Sequence, residues 1–262
     1  MFYGIASGAV ATDPFDVEQI LEDIESLNHR AVGRELEVSA ISIHAYPYVA
    51  DGYALMPCGA SMGDGYGPCV VARSRMTRAD LARATVAVPG TLTSAFLALR
   101  IFLGREFPYV VVPFDRILET VAEGKADAGL IIHEGQLTYG RHDLELVVDL
   151  GVWWGERTEG LPLPLGGNVV RRDLGTEGML RAVHILKGSI EYGLDHRQEA
   201  LDYAMEFGRG LDRGLADRFV GMYVNELTRD YGERGRRAIE RFLEEGRSAG
   251  MFASDVVVDF VG

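Results

Sequence analysis

From Leu81 to Leu150 the chain alternates short apolar runs with amphipathic stretches, in the order TVAVPG, TSAFLALRIFLG, YVVVPF, DRILETVAEGKA, DAGLIIH and LELVVDLG. Strands that alternate with helical stretches in this way predict an α/β fold in which helices carry the chain back between strands. Gly104 and Gly124 stand where the helical stretches end, as helix stop signals should. The block is long enough to be a compact body of its own.

The flanking segments extend this reading. DPFDVEQILEDIESLNHRAV carries apolar residues at Val17, Ile20, Leu21, Ile24 and Leu27, which predicts an amphipathic helix from about Asp13 onward, with a short extended piece breaking its start as the alternative. FYGIASGAV at the start reads as the body of a helix without a capping residue. LEVSAIS reads as a strand, and Ile43 to Val49, interrupted by Pro47, as a helical or irregular turn. CVVARS and GGNVVRR are read as two extended crossovers, into and out of the central block. The expected architecture is therefore two-lobed, with residues 1–84 and 165–262 forming one lobe and 85–164 an inserted lobe. Hinged crossovers between two such lobes leave a central cleft, where small ligands favour binding.

Composition narrows the function classes. A formal net charge of -13 argues against a nucleic-acid or anionic-membrane partner, because phosphates attract an excess of Lys and Arg. The apolar runs are of strand length, well below the ~20 residues that a spanning helix needs. No CxxC or HExxH pattern is present, so no metal or redox cofactor is expected. Cys58 and Cys69 are expected to be two idle thiols, with a disulfide as the alternative. MFYGIASGAV has neither a basic n-region nor a sufficient apolar core for a signal peptide, so the cytoplasm is the expected compartment. A small-molecule partner fits this profile, and the residues carry no signal of oligomeric state.

Within DAGLIIHEGQLTY, His133 follows an apolar strand, and in open α/β sheets ligands bind at the carboxyl ends of strands. An imidazole there can accept a proton near neutral pH, so His133 is the candidate base. In VPGTLTSAF, a glycine bend leads into a helix start where hydroxyls and free backbone N–H groups can hold a carboxylate or phosphate. The alternative is that Thr93 or Ser94 simply caps the helix. Ser39 and Ser42 at the end of LEVSAIS would oppose that helix start across the cleft. The glycine loop from Gly59 to Gly67 lacks phosphate-binding spacing and is expected to allow close backbone approach. Trp153 and Trp154 could line a ligand ring or pack the core. His44, His142, His184 and His196 are expected at the surface or in packing roles.

GLIIHEGQLTY, VVDLGVWWGERTEGLPLPLGGNVVRRDLG, the VPGTLTSAF turn and the LEDIESLN helix together resemble the 1,4-dihydroxy-6-naphthoate synthases, lyases of the futalosine route to menaquinone. The resemblance spans nearly the whole chain. It implies a two-lobed periplasmic-binding-protein type II fold and conversion of cyclic dehypoxanthine futalosine to 1,4-dihydroxy-6-naphthoate, with a three-carbon product leaving and no cofactor. Position by position, the family's base matches His133, and its substrate contacts match Ala40, Ile41 and Ser42 together with Ser94 and Ala95. Two departures stand out. The family generally begins with a strand and a polar SPCPNDT-like turn, and this sequence starts after them, so one sheet is expected to be a member short unless the start is misplaced; the family's strand-end tract also often carries a lysine where Ala40 stands here. The sister chorismate dehydratases share the fold, but the IIHEGQLTY segment argues against them. A solute receptor that closes on its ligand without chemistry is the remaining alternative.

Overall fold

The computed structural model describes residues 1–207, 212–252 and 256–262. Among the described residues, nine strands form two sheets. The first contains β1 (Val38–Ser42), β2 (Tyr53–Leu55), β3 (Ser61–Gly63) and β9 (Leu163–Arg171), with β9 at the centre and antiparallel to the other three. The second has the order β6-β5-β7-β4-β8, from β4 (Cys69–Ala72), β5 (Val86–Val88), β6 (Tyr109–Val111), β7 (Ala128–Ile131) and β8 (Glu145–Asp149). Its β6, β5 and β7 run parallel, whereas β4 is antiparallel to both β7 and β8.

Among the described residues, twelve α-helices cover these sheets. α1 (Tyr3–Ala6) and α2 (Ile24–Val32) precede β1, and α3 (Arg78–Leu81) leads into β5. α4 (Ser94–Leu103), α5 (Ile117–Ala122), α6 (Gly135–Thr138) and α7 (Leu150–Arg157) follow β5, β6, β7 and β8 respectively. After β9 the chain is helical through α8 (Gly175–Asp195), α9 (Arg197–Met205), α10 (Arg213–Tyr223), α11 (Glu226–Arg229) and α12 (Gly232–Ser248). Trp154 is fully buried, donates Nε1–H to the Pro162 carbonyl at 3.1 Å and meets Phe242 of α12 edge-on. Trp153 packs edge-on against Phe102 of α4. Both tryptophans are packing residues here.

The alternation from TVAVPG to LELVVDLG holds strand by strand, but three other expectations are corrected. CVVARS is not a crossover: β4 is an inner strand, all four residues buried, between β7 and β8. Its short apolar run reflects burial on both faces of a sheet, which an extended strap resembles in sequence. GGNVVRR likewise lies within β9 as far as Arg171, where nine residues organise the first sheet. The chain instead passes between sheets through residues 64–68 and through α7. At the first passage Gly67 lies so close to Gly151 that an added Cβ would stand 2.7 Å from the Gly151 nitrogen, the tight backbone approach expected of the glycine loop.

The third correction concerns the stripe from Val17 to Leu27. Residues 15–23 form no helix, and Val17, Ile20 and Leu21 are exposed. Asp23 interrupts the stripe as an N-cap, its Oδ1 accepting from Glu25 N and Ser26 N, so the helix starts only at Ile24. Cys58 and Cys69 are separate, buried thiols. No described helix is long and apolar enough to cross a membrane, and no group of His, Cys, Asp or Glu among the described residues could hold a metal ion.

Candidate functional site

The strand register brings several of the expected residues to one edge of the second sheet. β5 and β7 are parallel and paired at Ala87 and Gly129, so the turn into α4 and the turn carrying His133 leave the same edge. Cys69 pairs with both Ile131 and Asp149, which adds the beginning of β4 and the end of β8 to that edge. Asp149 caps α7 by accepting from Gly151 N and Val152 N. Burial raises its carboxyl pKa and also raises that of the Cys69 thiol beside it.

The start of α4 is built by local chemistry. Thr93 is the N-cap: its hydroxyl accepts from Phe96 N at 3.2 Å and donates to Gly90 O at 2.9 Å. Such a cap is worth about 1 kcal/mol. Ser94 is free of capping duty and links the two sheets instead, donating Oγ–H to Leu165 O at 2.6 Å and accepting from His44 N at 3.2 Å. The backbone N–H groups of Ser94 and Ala95 lie in the first turn, where a helix offers no internal acceptor. Both residues are nearly buried, at 2% and 3% exposure.

Ser42 comes to the same place from the first sheet. Asn28 of α2 holds it twice, accepting from Ser42 N at 2.7 Å and donating Nδ2–H to Ser42 Oγ at 3.1 Å. The same amide group donates to Glu25 Oε2 at 3.3 Å, and Glu25 Oε1 accepts from Leu92 N at 3.1 Å. A continuous chain of hydrogen bonds thus runs from Ser42 through Asn28 and Glu25 to the turn before α4. Ile41 is fully buried beneath it, Ala40 is half-buried opposite Asn168, and Ser39 only donates to the neighbouring Ala40 carbonyl.

His133 is half-buried two residues beyond β7 and has φ +86°, an uncommon conformation for a residue with a side chain. Its carbonyl accepts from Gln136 N at 3.0 Å, which starts the short α6. The imidazole lies 4.3 Å from the Phe114 ring, centroid to centroid. Together they border a cavity of about 230 Å³ whose far wall is α9 and α10, with Leu201, Ala204, Ala216, Phe219 and Val220. The site is thereby closed by helices that follow the return to the first sheet, and Tyr223 at the end of α10 donates to Gln136 Oε1 at 2.8 Å. The structure joins Ser42 to the turn before α4 through Asn28 and Glu25, while His133 leaves the same edge of the second sheet as that turn. A larger open depression of about 590 Å³ is lined by the end of α7, the loop after it and the Arg and Glu residues of α12, and by none of the residues above.

Three contributors escaped the sequence reading. Asn28 and Glu25 lie in the LEDIESLN helix, but their partners are 14 and 67 residues away. His44 was expected at the surface or in packing, and it is only 1% exposed, two residues past the end of β1. Its Nδ1–H donates to Thr93 O at 3.3 Å, the carbonyl being an acceptor only. Burial lowers its pKa to about 4, so the ring is neutral at physiological pH.

A family model described as menaquinone biosynthesis matches residues 1–248. The chain belongs to this menaquinone-biosynthesis family. A relative from Thermus thermophilus, named 1,4-dihydroxy-6-naphtoate synthase, is 43% identical over 254 residues, covering 97% of this chain and 91% of that one. The crystal structure of protein AF1704 from Archaeoglobus fulgidus superposes with a TM-score of 0.90 at 43% identity, covering 96% of this chain and 93% of that one. At 13% identity and a TM-score of 0.66, a Candida albicans protein described as having the generic periplasmic-binding-protein fold covers 98% of this chain and 88% of its own. The menaquinone-biosynthesis chain thus has the two-lobed periplasmic-binding-protein architecture expected from its sequence.

Proposed function

We propose that this protein is a lyase that converts cyclic dehypoxanthine futalosine to 1,4-dihydroxy-6-naphthoate. His133 is its base, and Ala40, Ile41, Ser42, Ser94 and Ala95 are its substrate contacts. The observation that carries the reading is the setting of His133: a left-handed backbone at a strand end, with the ring bordering a mostly apolar cavity. Strained conformations of this kind persist where surrounding structure enforces them, and they cluster at functional sites. The identity to a naphthoate synthase supports the same choice.

In this mechanism the substrate's polar groups are held by the first-turn amides of α4 and by Ser42, both fixed before binding. Preset donors cost no reorganisation during reaction. The imidazole of His133 takes a proton from the sugar-derived part of the substrate, the carbon skeleton breaks to release a three-carbon fragment, and the developing ring system gains aromaticity. Held within reach, a general base of this type contributes about 10²- to 10⁴-fold. The apolar walls from Phe114, Phe219 and Val220 suit the ring-bearing end. The inserted lobe in this reading runs from β4 to α7, about residues 69–162 rather than 85–164, because β4 is an inner strand of its sheet. The protein acts in the cytoplasm on a small molecule.

Turnover of cyclic dehypoxanthine futalosine, followed by chromatographic detection of the naphthoate, tests the proposal. Product formation that disappears in His133→Ala supports it. Binding without product would favour a solute receptor, and dehydration of chorismate would favour the sister enzyme.

A further inference from the structure

The turn before α4 carries more fastening than a helix start needs. Thr93 already caps the helix, yet two further residues grip the segment 90–94 from the other sheet's elements. Glu25 of α2 accepts from Leu92 N at 3.1 Å, and its carboxyl carbon lies 2.2 Å from where a Cβ on Gly90 would stand, so the glycine is what admits it. Only 16% of the Glu25 side chain is exposed. His44 grips the next two residues, with Nδ1–H on Thr93 O and the backbone N–H on Ser94 Oγ.

Both grips are costly as mere structure. A largely buried carboxylate gives up more hydration than a neutral side chain in the same place would. The His44 tautomer that reaches Thr93 O leaves Nε2 buried and without a hydrogen-bond partner, facing Tyr48 and Phe252. An unpartnered buried acceptor costs about 1 to 3 kcal/mol. What the two side chains share is their target, the segment 90–94 that presents the amides of Ser94 and Ala95. Through Asn28, Glu25 also ties that segment to Ser42.

We propose that Glu25 and His44 are positioning residues, a two-point clamp that presets the first-turn amides of α4 against Ser42 before substrate arrives. The clamp rests on the binding half of the function proposed above. Because it acts in the ligand-free protein, it removes an ordering cost that binding would otherwise carry. Neither residue serves as acid or base in the reaction. Their loss therefore raises KM and leaves kcat nearly intact, as when binding common to ground and transition states is removed.

The test uses Glu25→Ala, Glu25→Gln, His44→Leu and His44→Asn in the full chain. Amide hydrogen exchange of residues 88–97 is followed without ligand, together with thermal melts and steady-state kinetics. Glu25→Ala and His44→Leu are expected to speed exchange in that segment and to raise KM about tenfold, with kcat within about threefold. The conservative variants are expected to fall between these and wild type, since Gln keeps an acceptor for Leu92 N and Asn can place a donor near the Nδ1 position. A role in stability alone would lower the melting temperature and speed exchange throughout, without a selective change at 88–97, and would overturn the clamp. Unchanged exchange at 88–97 in both severe variants would also overturn it. If wild type forms no naphthoate, the proposed function fails while exchange still decides the clamp. Should a severe variant not fold, its conservative partner carries the same comparison.

Discussion

Around the start of α4, Asn28, Ser42, Thr93 and Ser94 are each at most 2% exposed, and all four side chains are hydrogen-bonded. Around His133 the chain does the opposite: the ring is half-buried beside Phe114, its backbone is strained, and the cavity before it is mostly apolar. Binding polar groups calls for donors that do not move, and a buried, paired network supplies them. Proton abstraction calls for a side chain that faces substrate, with space for the reacting atoms. The two regions divide these requirements between them.

The largest expected effect breaks the catalytic region alone. His133→Ala should lower kcat by about a thousandfold while the melting temperature stays within a few degrees. His133→Gly should be as inactive yet more stable by about 1 kcal/mol, because glycine occupies positive φ without the steric cost. Calorimetry on both variants checks this, and a loss of stability in His133→Gly would mean that the backbone there is not strained.

The binding region should respond to pH through His44. Its pKa of about 4 in the folded protein lies below the ordinary 6.5, so between those values the unfolded chain binds more protons than the native one. Stability from this group is complete above pH 6.5 and is lost as pH falls, at up to about 1.4 kcal/mol per unit and about 3 kcal/mol in all. Denaturant melts at pH 7 and pH 4.5 should show this slope in wild type and lack it in His44→Leu. Asn28→Ala should cost about 2 kcal/mol at any of these pH values, since the Ser42 amide would be left buried without its acceptor. Urea unfolding measures it, and a loss below 0.5 kcal/mol would separate Asn28 from the network.

The two regions also differed in how far they could be read from sequence. His133 and the α4 start follow strands of the parallel block, where local periodicity and a glycine turn give both element and position. Asn28, Glu25 and His44 act through partners 14 to 67 residues away, and no local pattern encodes a contact at that distance. The same limit explains β4. A four-residue apolar run specifies burial but not which sheet receives it, so CVVARS looked like a strap until its pairing with β7 and β8 was known. The stripe at Val17, Ile20 and Leu21 failed differently: apolar spacing suggested a helix, but Asp23 supplied a better start ten residues later than expected, and those side chains remain in solvent.

The smallest effect sharpens the contrast at the cavity itself. Ala204 lies on the exposed side of α9 and still lines the space before His133, so its substitution can fill that space without disturbing a packed core. Ala204→Trp should raise KM about tenfold, equivalent to about 1.4 kcal/mol of binding, with an unchanged melting temperature. If α9 and α10 form the wall against which the ring-bearing end of the substrate rests, the indole competes for that wall directly. The hydrogen-bonded region should not register the change, so exchange at residues 88–97 should match wild type. Unchanged KM in Ala204→Trp would place the substrate elsewhere in the cleft and leave α9 and α10 as cover alone. A raised KM with altered exchange at 88–97 would mean that the two regions are mechanically coupled, and the division between a fixed binding half and an open catalytic half would then have to be abandoned.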